Sequence, residues 1–297
     1  MASLNDVKNK IAGVKKTKQI TKAMNMVAAS KLRGTQTRME SFRPYAIKFS
    51  EVLGSLAERA DEDASPLLIA REIVKNVNVV LCTSDRGLCG GFNSNLLERA
   101  EALVNELIAK YPDVKITFTN FGKKGRDWCR KEKCEIQKEY LGIVGAKFDF
   151  SIASSAGQQL ITEFLDGTYD EVYVIFSRFE GMSKQIPDIQ QILPIPPIES
   201  AEANEEPASF VAEHICEPSA EEVLGDMLPK NVFVQLYSAL LETSTSEHAA
   251  RMLAMDNATK ACNDMIDNLT LAYNKARQAA VTTELMDIVG GAEALKG

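Results

Sequence analysis

The stretch DRGLCGG, Asp85 to Gly91, is where this 297-residue sequence comes nearest to chemistry. Glycines placed after an apolar strand and before a helix can leave backbone N–H groups free to hold an anion. The spacing matches neither known phosphate pattern, being neither GxGxxG nor GxxxxGK[ST], and no acidic residue directly follows the second strand to hold a ribose. The other reading is a tight turn that touches a partner. Asp85 and Arg86 form a polar pair at a strand end, but no neighbouring nucleophile, base or second carboxylate completes a catalytic set. His214 and His248 lie far apart and are expected at the surface or as caps. The six cysteines, at 82, 89, 129, 134, 216 and 262, make no CxxC pair, so they read as reduced structural thiols. No metal or cofactor is expected.

The formal charge of −7 conceals an asymmetry: residues 1–59 carry +8 and the remainder −15. Between Lys8 and Arg38 stand nine basic residues and no acid, among them Lys10, Lys15, Lys16, Lys18, Lys22, Lys31 and Arg33. Such a block marks a surface for something acidic, whether nucleic acid, an anionic membrane or an acidic protein. No aromatic residue precedes Glu40, so single-stranded nucleic acid finds no stacking platform. No apolar run approaches the length of a transmembrane helix, and the N-terminus lacks the apolar core of an export signal. A protein on the cytoplasmic side is expected.

The elements that must position these residues fall into three parts: 1–60, an N-terminal coiled-coil helix; 70–216, an α/β domain; and 219–297, a C-terminal coiled-coil helix. Leu4, Val7, Ile11 and Val14 begin a helical stripe that resumes as Ile20, Met24 and Val27, which implies a slip in the heptad between Val14 and Ile20. Pro44 is expected to bend or interrupt this helix. Val77 to Thr83 and Val114 to Thr119 read as buried strands, followed by helices at Leu96 to Lys110 and Arg126 to Glu132. Gln137 to Asp149 reads as irregular, Ser151 to Leu165 as helix and Glu171 to Phe179 as strand. Ile186 to Pro197, with four prolines, can only be an edge strand or irregular. An acidic loop at 199–207 and a short edge strand at Phe210 to Cys216 follow. The alternation implies a mostly parallel, Rossmann-like sheet.

From Ser219 to Val289 the chain reads as helix again, with a break expected at Leu228-Pro229. Met252, Met255, Thr259, Cys262, Ile266, Leu269, Tyr273, Ala276 and Ala280 alternate spacings of three and four, which is a heptad seam. About sixty helical residues at ~1.5 Å each exceed any domain this chain could form. Two terminal helices of that length are expected to pair as a long antiparallel coiled coil with the α/β domain inserted between them. The residues alone leave three functional classes open: a structural shaft, a nucleotide-dependent enzyme with a helical arm, and a coiled-coil nucleic-acid binder.

Three blocks narrow the choice. IAGVKKTKQITKAMNMVAASKL (Ile11 to Leu32), SDRGLCGGFN (Ser84 to Asn93) and the stretch Ser246 to Ala292, containing SEHAARMLAMDNAT and YNKARQAAVTTELMDIVGGA, resemble the gamma subunit of F-type ATP synthases, as does EPSAEEVLGDMLP (Glu217 to Pro229). The resemblance spans the chain. It implies a non-catalytic rotary shaft that carries torque between the proton-driven ring of c subunits and the catalytic β subunits, with α and epsilon as further partners. By position, Met24, Arg86, Arg277 and Gln278 are similar to residues that contact β. Ala212 to Pro218, with His214, Ile215 and Glu217, resembles the region near epsilon and the rotor ring. Gly34, Thr245 and Val281 depart mildly from the family pattern. No counterpart of the cysteine-bearing chloroplast insert is present, which implies a bacterial type, peripheral on the cytoplasmic face of the inner membrane, with no nucleic-acid role.

Overall fold

Cys82 marks the end of a strand that decides the architecture, because alternate residues along it are buried on opposite faces of a sheet. The computed structural model describes residues 4–57, 65–196 and 219–294. They pack as two units: Ala29–Arg251, built on the sheet, and Met1–Ala28 with Met252–Gly297, built on paired helices. In chain order the elements are α1 (Leu4–Ala57), β1 (Asn76–Cys82), α2 (Phe92–Lys110), β2 (Lys115–Phe121), α3 (Lys123–Lys131), β3 (Glu135–Tyr140), α4 (Phe150–Leu165), β4 (Glu171–Gly181), β5 (Lys184–Leu193) and α5 (Ala220–Ala294).

In the sheet unit the strand order is β3-β2-β1-β4-β5, parallel except for β5, which runs antiparallel on β4. Val77, Val79 and Leu81 pack with Leu96, Leu103 and Leu107 of α2. Val80 and Cys82 pack on the other face with α4 and with the sheet-unit segments of α1 and α5. Burial on both faces explains why β1 is apolar without alternation.

Two expectations fail at the edges and one holds there. The stretch expected to be irregular after Gln137 contains most of β3. Its alternation is blurred because the outer strand carries Glu135, Lys138 and Glu139, and such charges on an edge protect it from pairing with another chain. The helix expected from Arg126 begins at Lys123. β5 is an edge strand, with Pro187 opposite Ser177, where a missing donor is tolerated. The strand expected at Phe210 to Cys216 lies outside the described residues, as do the acidic loop and Cys216.

Neither proline interrupts its helix: α1 runs on through Pro44 and α5 through Pro229. An internal proline costs about 3 kcal/mol. On either side of these prolines, Met39, Leu53 and Leu56 on α1 and Leu224, Leu228, Val232 and Leu236 on α5 enter one common core. At about 1.5–3 kcal/mol for each buried side chain, their packing outweighs the lost backbone bonds.

In the paired-helix unit Thr21 Oγ1 lies 2.8 Å from Thr259 Oγ1, and Asn25 Nδ2 donates to Met252 O at 2.8 Å. Advancing four residues on α1 moves the partner back seven on α5, so the helices are antiparallel. Every residue of the α5 seam, from Met252 to Ala280, is buried or half-buried, and between Lys260 and Ala280 all the others are exposed. The slip expected on α1 is absent. Leu4, Val7, Ile11, Val14, Lys18, Thr21, Met24, Asn25 and Ala28 form an unbroken covered stripe, whereas Ile20 and Val27 are 60% and 59% exposed. Thr21 and the aliphatic stem of Lys18 fill seam positions where an apolar residue is the usual choice.

Gly122 ends β2 with φ +102°, and its N–H donates to Tyr140 O at 3.0 Å. A Cβ there would stand 2.1 Å from Thr83 O, so the backbone itself blocks any side chain. Gly122→Ala is expected to lower the stability of the chain by at least about 3 kcal/mol, from the sum of left-handed strain and forced displacement. Urea unfolding measures it, and an unchanged midpoint would show that the turn can relax.

Candidate functional site

Burial along α5 falls in three stages, and the last two expose the surfaces through which the chain can meet other molecules. From Thr243 to Ala249 every residue is buried although five of the seven are polar and one is ionised. Hydrogen bonds to β4 hold Thr243, Ser246 and the preceding Glu242. Thr243 Oγ1 accepts from Ser177 N at 3.3 Å, Ser246 Oγ donates to Ser177 O at 3.1 Å, and Glu242 Oε2 accepts from Phe179 N at 3.2 Å. β4 outruns its pairing with β1 at Ile175, and α5 supplies the partners its backbone then lacks.

His248, expected at the surface, is buried instead, its Nδ1 2.8 Å from Glu247 Oε2. The helix is enclosed here, so a residue that a lone amphipathic helix would expose has no outer face to occupy. Glu247 also pairs with Arg251 through Oε1. Burial alone pushes the Glu247 carboxyl up, but His248 and Arg251 together outweigh it and hold the group below the ordinary carboxylate range. Burial raises the pKa of Glu242, with Arg43 3.7 Å away only partly opposing it.

Arg251 continues the chain of contacts into the glycine loop, donating from Nη2 to Arg86 O and Gly87 O, both at 3.1 Å. Within the loop the Ser84 hydroxyl donates to Arg86 O at 2.6 Å and accepts from Asn93 Nδ2 at 2.8 Å, while Ser84 N donates to Asn93 Oδ1 at 3.1 Å. Asp85 Oδ1 accepts from Lys123 N and Gly142 N, at 3.2 and 3.0 Å. These bonds hold the loop's carbonyls and the Asp85 carboxylate, and the loop turns outward Arg86 and Leu88, the latter 63% exposed with φ +66°. A leucine held in the left-handed region and pointed at solvent is strain of the kind found at contact points.

Of the basic residues, Lys8, Lys10, Lys15, Lys16, Lys22 and Arg33 are exposed and make no ion pair with a described residue, while Lys18 is half-buried in the seam. Lys31 donates to Gly145 O at 2.9 Å, and Arg38 stacks over Phe148 with its guanidinium carbon 5.2 Å from the ring centre. Met24 is half-buried, whereas Arg277 and Gln278 are exposed, between the seam positions Ala276 and Ala280. Beyond Ala280 the seam ends: Val281, Leu285, Met286, Ile288 and Val289 are each at least 50% exposed. His214, Ile215 and Glu217 lie outside the described residues. Among the described residues no cluster of His, Cys, Asp and Glu has the geometry of a metal site, and no helix is long and apolar enough to cross a membrane.

A family profile described as ATP synthase matches residues 3–295. The ATP synthase gamma chain of Desulfosudis oleivorans is 67% identical with both chains fully covered, and that of Desulforapulum autotrophicum is 59% identical over 99% of this chain and all of the relative. The chain belongs to the ATP synthase gamma-chain family. Among solved structures, a chain in the central stalk and c-ring of the Tetrahymena thermophila mitochondrial ATP synthase matches with TM-score 0.58 and 26% identity, covering 80% of this chain and 99% of that one. A chain in the OSCP/F1/c-ring assembly of the Euglena gracilis enzyme shares the fold, with TM-score 0.66 and 20% identity over 98% and 94% of the two chains. The chain is thus a central-stalk subunit of a rotary ATP synthase, and the nucleotide-dependent enzyme and nucleic-acid binder give way to it.

Residue types alone missed Leu88, Glu247 and Arg251. For the last two a signal existed, since SEHAAR places a carboxylate four residues before a guanidinium on one helix face. Glu247→Gln is expected to destabilise the chain by about 3 kcal/mol at pH 7, the scale for breaking a buried ion pair. Because the folded state depresses this carboxyl, its contribution is full above the ordinary value of about 4.5 and fades as pH falls below it. The gap between wild type and variant in denaturant unfolding should therefore narrow as pH falls below about 4.5, and a gap independent of pH would contradict an ionised Glu247.

Proposed function

We propose that this chain is the torque-transmitting shaft between a ring of c subunits in the membrane and the catalytic β subunits, and that it performs no catalysis itself. It is held peripherally on the cytoplasmic face of a bacterial inner membrane by its partners. In this reading residues 1–60 and 219–297 are the shaft and 70–216 the foot. Met24, Arg277 and Gln278 meet β along the shaft, and Arg86 meets it lower down. His214, Ile215 and Glu217 face epsilon and the rotor ring.

The observation that carries this reading is the overhang of α5. Leu4 lies seventeen residues before Thr21, so its counterpart on α5 is Ala276, seventeen beyond Thr259, and α5 continues to Ala294. The large apolar side chains on that overhang have no partner among the described residues, and an exposed apolar surface of this kind is stable in an enclosing sleeve of other subunits. The unpaired lysines give attraction to an acidic partner without one fixed geometry, which a rotating contact requires.

Reconstitution of α and β with and without this chain tests the reading: proton pumping driven by ATP should require the chain, and full pumping in its absence would sink the proposal. Replacing Lys15, Lys16 and Lys22 by Glu should slow association with the α/β ring at least about tenfold at low ionic strength, with the difference shrinking as salt is raised. Arg277→Ala with Gln278→Ala should cut coupled ATP turnover by about five- to tenfold, the scale of losing an interface anchor. Unchanged turnover would remove both residues from the contact.

A further inference from the structure

We propose that Arg251 is a positioning residue that latches the glycine loop, fixing the shape in which Arg86 and Leu88 are presented without touching any partner itself. This deepens the reading of the loop as a partner contact and rests on it for the consequence in the assembled complex, but the latch is defined within this chain. A single guanidinium nitrogen, Nη2, reaches the carbonyls of both Arg86 and Gly87 at 3.1 Å, so two successive peptide groups are turned toward one donor. The other terminal nitrogen is held by Glu247, whose side chain is 2% exposed, and that of Arg251 is itself 12% exposed. The carboxylate therefore has no solvent alternative, and it orients the guanidinium toward the loop.

The loop needs such a restraint. Leu88 and Gly90 both occupy the left-handed region, at φ +66° and +59°, and a non-glycine residue stays there only when its surroundings over-determine it. Ser84 secures the base of the turn through Arg86 O, but Gly87 O has Arg251 as its partner. A planar fork is required because one donor group must serve two carbonyls and a carboxylate at once. A lysine ammonium carries enough protons but cannot span that spread from one point. The glycine loop is thereby tied to α5 at the last residue of the sheet unit.

Cys89 supplies a reporter. It is 2% exposed beneath the loop, with Asn93 Nδ2 3.1 Å from its sulfur. In the purified full-length chain, Arg251→Ala should raise N-ethylmaleimide labelling of Cys89, located by peptide mass mapping, at least about tenfold, the factor by which hydrogen bonds from a charged donor hold a closed state. Labelling of Cys82 and Cys129, buried elsewhere in the sheet unit, should not change. Arg251→Lys should fall between the two, and it decides on the same readout should the alanine variant not fold. In the assembled complex, Arg251→Ala should reduce ATP-driven proton pumping, and the reduction should vanish when Arg86 and Leu88 are already alanine. Wild-type labelling at Cys89, or an equal rise at all three cysteines, would overturn the latch. If Cys89 alone responds but the Arg86 and Leu88 replacements leave pumping intact, the latch stands and the loop's role as a partner contact falls.

Discussion

The structure depends on one constraint: a single helix, α5, must suit three environments along its 75 residues. From Asn231 to Arg251 none of its residues is exposed, from Met252 to Ala280 it offers one stripe to α1, and from Val281 it has no cover among the described residues. A buried polar group needs a partner, and in the Thr243 to Ala249 run Thr243 and Ser246 find theirs on Ser177, where β4 has run past β1. A helix paired along one stripe needs only a narrow seam. These demands explain why the middle of α5 reads so differently from its start while the backbone never breaks.

The seam itself is weak by composition. Beside Ile266 and Leu269 on α5 and Leu4 and Ile11 on α1, the seam holds Met, Thr, Cys, Tyr, Ala, Val and Lys, and two of its contacts are hydrogen bonds worth about 1 kcal/mol net each. Such bonds fix register more than they add stability, as a polar residue does inside a coiled coil. Pairing succeeds because both helices belong to one chain, so their association is intramolecular and governed by a high effective concentration. A seam that need not hold two free chains together can be built from small and polar residues.

Much of this was legible from the chain. The three-and-four spacing of α5 names the residues that are covered in the paired-helix unit, and the apolar runs of β1 and β4 with their glycine punctuation give the sheet. What the pattern hid has physical causes. Pro44 and Pro229 carry a local cost that only the surrounding core overrides. The apparent slip on α1 came from following Ile20 and Val27, apolar residues that face outward, while Thr21 and Lys18 hold the seam. β3 was obscured by edge charges. The partners of Arg251 are backbone carbonyls distant in sequence, which no side-chain pattern can reveal.

The overhang of α5 differs from the seam in shape as well as exposure. At ~100° per residue, Ile288, Val281, Leu285, Val289 and Met286 fan out over an arc of roughly 160°, against the narrow line of the heptad positions. A stripe matches one neighbouring helix, whereas an arc of this width touches more than one surface at a time. Leaving it in water is unfavourable by about 25 cal/mol for each Å² of apolar surface that a partner could cover. Apolar contact is also non-directional, so it persists when the helix turns within its surroundings. Directional hydrogen bonds in the same place would favour a few angles and resist the rest. Glu284 and Asp287 fall outside this arc, and Arg277 and Gln278 precede it, so the apolar face of the overhang is not interrupted by charge.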